Sequence, residues 1–269
     1  VVAIRNYAFY NCSNLSYITV GDSVETIEQN AFRGCSNLQT VNINRLETIF
    51  NSYKYPNSTD NNPFKMASTL HLNGEEVTEL VIPEGITEIK SGFLYNFGKN
   101  VTSITMPNSL VTVKDYTFQD WSKLEHLTLG DSIRNFGYAA FHGCDSLTIN
   151  VAKLETLFND FSFGGNNSNP FEKAVQLCVN NEPLSSNLIV PNTVKIIPGG
   201  VFVHDEITSI TIPNSVHTIA NDAFYGCSNL MIIKLSDITG KYIETQTERK
   251  YKTLEFYKQI KWGWNLCTI

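Results

Sequence analysis

The chain has 269 residues, 42% of them hydrophobic, and a formal charge of −6. That is enough apolar material for a large core, while the acidic balance offers no electrostatic footprint for nucleic acid or an anionic membrane. No apolar run approaches the ~20 residues that a membrane-spanning helix needs, so no membrane insertion is expected, and no charged-then-apolar leader opens the chain.

Val1 falls part-way through a repeated unit, because Ile4, Ala8, Phe9 and Cys12 match Ile27, Ala31, Phe32 and Cys35. A stack that starts mid-coil leaves an open core. A truncated first coil is therefore expected, with any leader, cap or anchor belonging to a longer parent protein. The complete unit runs from Leu15 to Asn37, and Leu38 restarts it 23 residues later. Leu15, Ile18 and Val20 alternate with polar residues, as a strand with one buried face should. Val24, Ile27, Ala31, Phe32 and Cys35 follow at irregular spacing, without a long helical stripe.

Further units open at Val77, Val101, Leu124, Leu147, Leu184, Ile207 and Leu230. Their strands read YITV, QTVNI, ELVIP, SITMP, HLTLG, TINV, NLIVP, SITIP and IIKLS. Turns rich in Gly, Pro, Asn and Asp follow, such as Gly21-Asp22-Ser23 and Pro107-Asn108-Ser109, and these residues bend a chain cheaply. Two units are longer. Leu46-Glu47-Thr48-Ile49-Phe50 is echoed by Leu154-Glu155-Thr156-Leu157-Phe158, each followed by a polar loop that returns through Asn-Pro-Phe at 62–64 and 169–171. Asn73-Gly74 between apolar alternations is a hairpin signal; it predicts that Thr69–Leu72 pairs antiparallel with residues 77–82, and Asn180-Asn181 is a weaker copy. Beyond Asp237 the repeat is lost. Apolar and aromatic residues from Thr247 to Trp264 recur three or four apart, which suits a short amphipathic helix that closes the last coil, or else a basic aromatic contact surface.

A period in the low twenties, with L-x-x-I-x-I opening each unit, is the mark of a leucine-rich-repeat solenoid. The expected fold is an α/β-type array of about nine to ten coils over residues 1–235. A short-stranded parallel sheet should line its concave face, with mostly irregular or short helical outer segments. Residues 236–269 are expected to form a capping or linker tail, partly helical.

Ala31-Phe32-Arg33-Gly34-Cys35-Ser36-Asn37-Leu38, its copy Ala223-Phe224-Tyr225-Gly226-Cys227-Ser228-Asn229-Leu230, and Ile212-Pro213-Asn214-Ser215-Val216-His217-Thr218-Ile219 resemble the BspA-like leucine-rich repeats. The resemblance covers roughly residues 1–235. It implies a secreted or surface-attached protein that binds extracellular matrix, host cells or other microbes, and it leaves the ligand open. At the repeat's cysteine position three coils hold Phe97, Trp121 and Asp205, which points to a packing slot.

That slot also holds Cys12, Cys35, Cys144 and Cys227. A position that takes a thiol or an aromatic ring reads as buried and apolar, so reduced, buried cysteines are expected there. A Cys12–Cys35 disulfide is the alternative, weakened because coils should spread on the outer side of a curved solenoid. Cys178 and Cys267 have no evident partner, and no C-x-x-C occurs. The five histidines, at 71, 126, 142, 204 and 217, lie in different coils without metal-ligand spacing. With no G-x-S-x-G, P-loop, dinucleotide fingerprint or H-E-x-x-H, neither an enzyme nor a cofactor is expected.

Residues flanking each inward strand position should face the concave surface: Tyr17 and Thr19, Ser103 and Thr105, His126 and Thr128, and their equivalents. Most are small and polar, whereas protein hot spots favour aromatic and arginine anchors. Such anchors are commoner in the long loops, as Tyr53 and Tyr55 in the first and Phe161 and Phe163 in the second. The candidate ligand surface is therefore Tyr53, Tyr55, Phe161, Phe163, Tyr17, His126, Thr128, Ser103 and Thr105. The expected partner is an extracellular protein or cell-surface ligand; a glycan held by the sheet's hydroxyls, or a pure spacer role, are the alternatives.

Overall fold

The computed structural model describes residues 1–50, 63–92, 94, 96–203, 207–236 and 242–246. The chain forms two compact units, Val1–Asn181 and Glu182–Ile269. Each is a parallel β-solenoid with little helix.

In the first unit, Tyr17–Val20, Thr40–Ile43 and Thr69–Leu72 form a parallel ladder. A second ladder joins Glu79–Val81, Ser103–Thr105, His126–Leu129, Leu147–Val151 and Ala174–Val179. The reason is the period-two alternation. Leu80, Ile104, Leu127, Ile149 and Leu177 stack in register and are all buried, while their neighbours face outward. In the second unit Asn187–Ile189, Ser209–Ile212 and Ile232–Ser236 repeat the pattern. Tyr242–Gln246 then pairs antiparallel with Ile232–Ser236 and closes that ladder. The helical pattern from Thr247 onward lies outside the described residues.

Most of the described coils carry a second, two-residue strand on their other side. These stack as Ala3–Ile4 on Thr26–Ile27, and as Glu88–Ile89, Thr112–Val113, Asn135–Phe136 and Ser162–Phe163. Ile196–Ile197 on Thr218–Ile219 is the second unit's version. Among the described residues helix is confined to single turns such as Glu47–Phe50 and Pro63–Met66.

The hairpin at Asn73-Gly74 is present, with both residues at positive φ as its two-residue turn requires. Its partner differs from the expected one. Thr69–Leu72 pairs antiparallel with Glu75–Glu76 on one edge and parallel with Thr40–Ile43 on the other. Residues beyond Val77 are taken by the next coil, where the Thr102 amide donates to the Thr78 carbonyl and the Ile82 amide to that of Thr105. A side chain fixes the turn: Asn42 Oδ1 accepts the Gly74 amide at 2.8 Å. Asn150 Oδ1 takes the Asn181 amide at the same distance.

The turn segments are built on left-handed residues. Tyr7, Asn30, Tyr116, Ala139 and Asp222 all have φ between 51° and 59° and stand just before the Ala-Phe or Thr-Phe pair. That kink swings the following phenylalanine into the core. Phe32, Phe118 and Phe141 are wholly buried and Phe224 is 7% exposed. Phe9 stacks on Phe32 and Phe202 on Phe224, with centroids 5.0 and 5.7 Å apart, while Phe118 packs tilted against Phe141 at 5.5 Å.

At the cysteine position Cys35 and Cys144 are buried, as expected, but Cys227 is half-buried and Cys12 is exposed, and the slot is not simply apolar. Cys35 Sγ donates to the Phe9 carbonyl, Cys144 Sγ to that of Phe118 and Cys227 Sγ to that of Phe202. Where tryptophan replaces cysteine, Trp121 Nε1 donates to the Leu94 carbonyl at 3.2 Å. Thiol and indole therefore share a chemical property: each brings one weakly hydrated N–H or S–H to the carbonyl of the preceding coil. Gly98 accommodates the indole, because a Cβ there would run into the Trp121 ring.

Candidate binding surface

The outward rows of the second ladder form the broadest open face of the first unit. One row reads Glu79, Ser103, His126, Thr148, Gln176; the other reads Val81, Thr105, Thr128, Asn150, Cys178. Glu79, His126, Val81 and Thr105 are exposed, and Ser103, Thr128 and Thr148 are half-buried. The structure thus brings four of the predicted residues together: Ser103, Thr105, His126 and Thr128 occupy adjacent strands. Parallel strands ~4.8 Å apart give these groups a regular spacing. Asn150 is committed to its turn, and Cys178 is buried.

On the first ladder Tyr17 is exposed, and its ring meets His71 edge-on at 6.4 Å. The two residues come from the outer strands of a three-strand set, so the rings reach towards each other over the middle strand, which carries Thr40 and Asn42. This aromatic pair is the nearest thing to a hot-spot anchor on either ladder of this unit. Sequence reading found Tyr17 but not His71, because the strand at Thr69–Leu72 was assigned to a hairpin alone.

Tyr53 and Tyr55 lie outside the described residues. Phe161 and Phe163 are not projecting anchors. Ser162–Phe163 is a strand of the outer ladder, and both rings are half-buried against Phe136, at 6.0 Å each. Phe161 also packs on Phe171 at 5.2 Å. The Phe-Ser-Phe alternation was the available signal, since it matches the apolar step of Asn135–Phe136 one coil earlier.

The segment leading into this loop is tied down by Asp131. Its carboxylate receives Lys153 Nζ at 2.8 Å and the Thr156 hydroxyl at 2.7 Å. Those two hydrogen bonds, Lys153's first, hold the Asp131 carboxyl below its ordinary pKa against the opposing effect of burial. The first long coil repeats the contact, with the Thr48 hydroxyl donating to Asp22 at 3.2 Å. Exposed tyrosines also pair edge-on along the turn segments, Tyr7 with Tyr10 and Tyr116 with Tyr138. Among the described residues no group of three His, Cys, Asp or Glu comes together to hold a metal ion. No helix among them is long and apolar enough to cross a membrane.

Stacked short strands, buried leucine and isoleucine rows and kinked phenylalanine turns define a leucine-rich-repeat solenoid. Six copies of the BspA type leucine-rich repeat region match over residues 2–77, 72–169 and 178–261. The chain belongs to that family. Similar solved structures include a leucine-rich cell surface protein from Faecalibacterium prausnitzii, with 21% identity over 87% of this chain and 64% of that one, TM-score 0.37. A leucine-rich repeat protein from Bacteroides ovatus matches with 21% identity over 87% of this chain and 59% of that one, TM-score 0.40. Another from Eubacterium ventriosum shows 19% identity over 84% and 62%, TM-score 0.37. The chain thus spans about three fifths of the length of these structures. No curated protein matches it.

Proposed function

We propose that this chain is the ligand-contacting array of a secreted or surface-displayed protein. It attaches to an extracellular protein or cell-surface ligand through the open face of the second ladder, centred on Ser103, Thr105, His126 and Thr128. One observation carries the reading: the three middle strands of a five-stranded parallel ladder present adjacent exposed or half-exposed polar groups, mostly small, on a regularly spaced face. Tyr17 and His71 on the first ladder supply an aromatic contact, and the first long loop, with Tyr53 and Tyr55, is a further contact element. No catalytic step is part of this reading.

Phe161 and Phe163 enter as supports. Their rings brace the outer ladder, so the second loop's contribution to binding is to stiffen the coil behind the face. A glycan taken on the first ladder is the second reading, favoured by the Tyr17 ring standing over the strand that carries the Thr40 hydroxyl and the Asn42 amide.

The test is a binding panel of immobilised matrix proteins and glycans, probed with the purified chain and with a Thr105→Lys, Thr128→Lys double variant. Both positions are outward, so the variant should fold with an unchanged thermal midpoint and lose binding at least tenfold. Undiminished binding by the folded variant would remove the site from this face. A native chain that binds nothing on the panel would instead favour a spacer that projects another domain.

A further inference from the structure

The cysteine slot holds Cys12 and Cys35 in successive coils, 23 residues apart, the one place where this chain stacks two cysteines in that slot on neighbouring turns. The sequence argument against joining them was that coils spread apart on the outer side. The structure removes that argument. The turn segments are hydrogen-bonded from coil to coil, with the Phe9 amide on the Ala31 carbonyl and the Asn11 amide on the Arg33 carbonyl, both at 2.7 Å. Glycine is needed beside them, since a Cβ on Gly34 would stand 3.0 Å from Asn11 Cα. Backbones in such contact lie at ordinary strand spacing, ~4.8 Å, inside the ~4.4–6.8 Å Cα range that a disulfide spans.

The two residues also share a conformation. Each follows a left-handed residue, Asn11 at φ 57° and Gly34 at φ 83°. Each receives a three-residue turn bond, from the Leu15 amide to Cys12 and from the Leu38 amide to Cys35. Their Cα–Cβ bonds therefore run side by side. The Cys35 thiol already reaches across, donating to the same Phe9 carbonyl that accepts the Cys12 amide, at 3.0 and 3.2 Å. Parallel bonds leave the Cβ atoms ~4.8 Å apart, about 0.3 Å beyond the ~3.5–4.5 Å of a disulfide. Cys12 belongs to an exposed stretch of the first coil and can close that gap.

We propose that Cys12 and Cys35 are a cross-linking site, closing to a disulfide that ties the first coil to the second when the chain meets a small disulfide oxidant. The exposed Cys12 thiolate attacks one sulfur of the oxidant, forming a mixed disulfide and releasing one thiolate. The Cys35 thiolate then attacks the Cys12 sulfur, forms the intramolecular bond and expels the second thiolate. Two cysteine thiols are oxidised and one disulfide is reduced to two thiols, so protons and electrons balance. The order follows from access: Cys12 is exposed and Cys35 is 1% exposed. Burial and the nearby Cys12 raise the Cys35 pKa, which makes it the slower, resolving partner.

Oxidised glutathione at pH 8 is the probe. After acid quenching, alkylation and tryptic digestion, residues 6–33 and residues 34–45 should appear as one disulfide-linked pair, two hydrogens lighter than their sum. The thermal midpoint should rise with oxidation and fall back with dithiothreitol, and the folded Cys12→Ser variant should show neither change. Glutathione retained on Cys12 beside a free Cys35, a Cys12–Cys12 dimer, or two unreacted thiols would each overturn the proposal.

Discussion

Phe141→Ala is the sharpest probe of how the core is built. Its ring is wholly buried, lies 5.5 Å from Phe118 and 5.7 Å from Phe136, and sits mid-ladder with coils on both sides. Removing a buried phenylalanine costs ~3–5 kcal/mol, the spread reflecting how far the site collapses. Collapse should be poor here, because the coils above and below are held by backbone hydrogen bonds: the Phe118 amide bonds the Ala140 carbonyl at 3.0 Å and the Asp120 amide that of His142 at 2.7 Å. The upper part of the range is therefore expected. With a urea slope of ~2 kcal/mol/M, a loss of ~4 kcal/mol lowers the midpoint of the first unit's transition by about 2 M. Phe224→Ala is the internal comparison. Phe224 is 7% exposed and stacks on Phe202, so its loss should cost less. Urea unfolding followed by circular dichroism measures both. A Phe141→Ala shift under about 0.5 M, or a larger effect from Phe224→Ala, would refute the account of these buried phenylalanine pairs as the core's main supports.

Trp121→Phe keeps an aromatic ring but removes the N–H that reaches the Leu94 carbonyl. That carbonyl keeps the Phe97 amide at 3.1 Å, so the expected loss is one net hydrogen bond, ~1 kcal/mol, plus the packing of the missing atoms; no change in the urea midpoint would show that the slot needs no donor. Cys144 is wholly buried and its thiol is pushed up to about 12, chiefly by burial. At pH 8 about one molecule in ten thousand carries the reactive thiolate, so maleimide should label Cys144 in denaturant and not in the folded chain. Because the Asp131 carboxyl is held below its ordinary value of 3.8, its contribution to stability is complete above that pH and is lost as pH falls through the lower, folded value. Asp131→Asn should accordingly lower the urea midpoint at pH 7 while flattening its decline below about pH 4, and an unchanged acid profile would count against the Lys153–Thr156 tie.

How much was legible in the sequence depends on how local each cause is. All nine expected inner strands are present, and the Thr40–Ile43, His126–Leu129 and Ser209–Ile212 strands fall within a residue of their expected bounds. Alternation of apolar and polar residues acts over two positions and is written in the chain itself. The buried phenylalanines follow for the same reason, since Ala-Phe or Thr-Phe recurs at one place in five of the coils. The candidate face was legible in part: Ser103, Thr105, His126 and Thr128 needed only the strand register.

Other features depend on what a neighbouring coil offers. Whether Glu75–Glu76 or residues 77–82 complete the hairpin depends on Thr102 competing for the Thr78 carbonyl. The cysteine slot looked apolar because Cys and Trp were compared as surfaces; their shared donor matters only once a carbonyl from the coil below is in reach. Phe161 and Phe163 read as loop aromatics until Phe136 supplied the ring they pack on. The sequence alone determined the repeat, the strand register and the inward rows, because each is enforced within one coil. Only the tertiary structure decided which edge a strand joins, which donor meets which carbonyl and which aromatics remain open to a ligand, because those depend on groups 20 to 30 residues away brought to van der Waals contact.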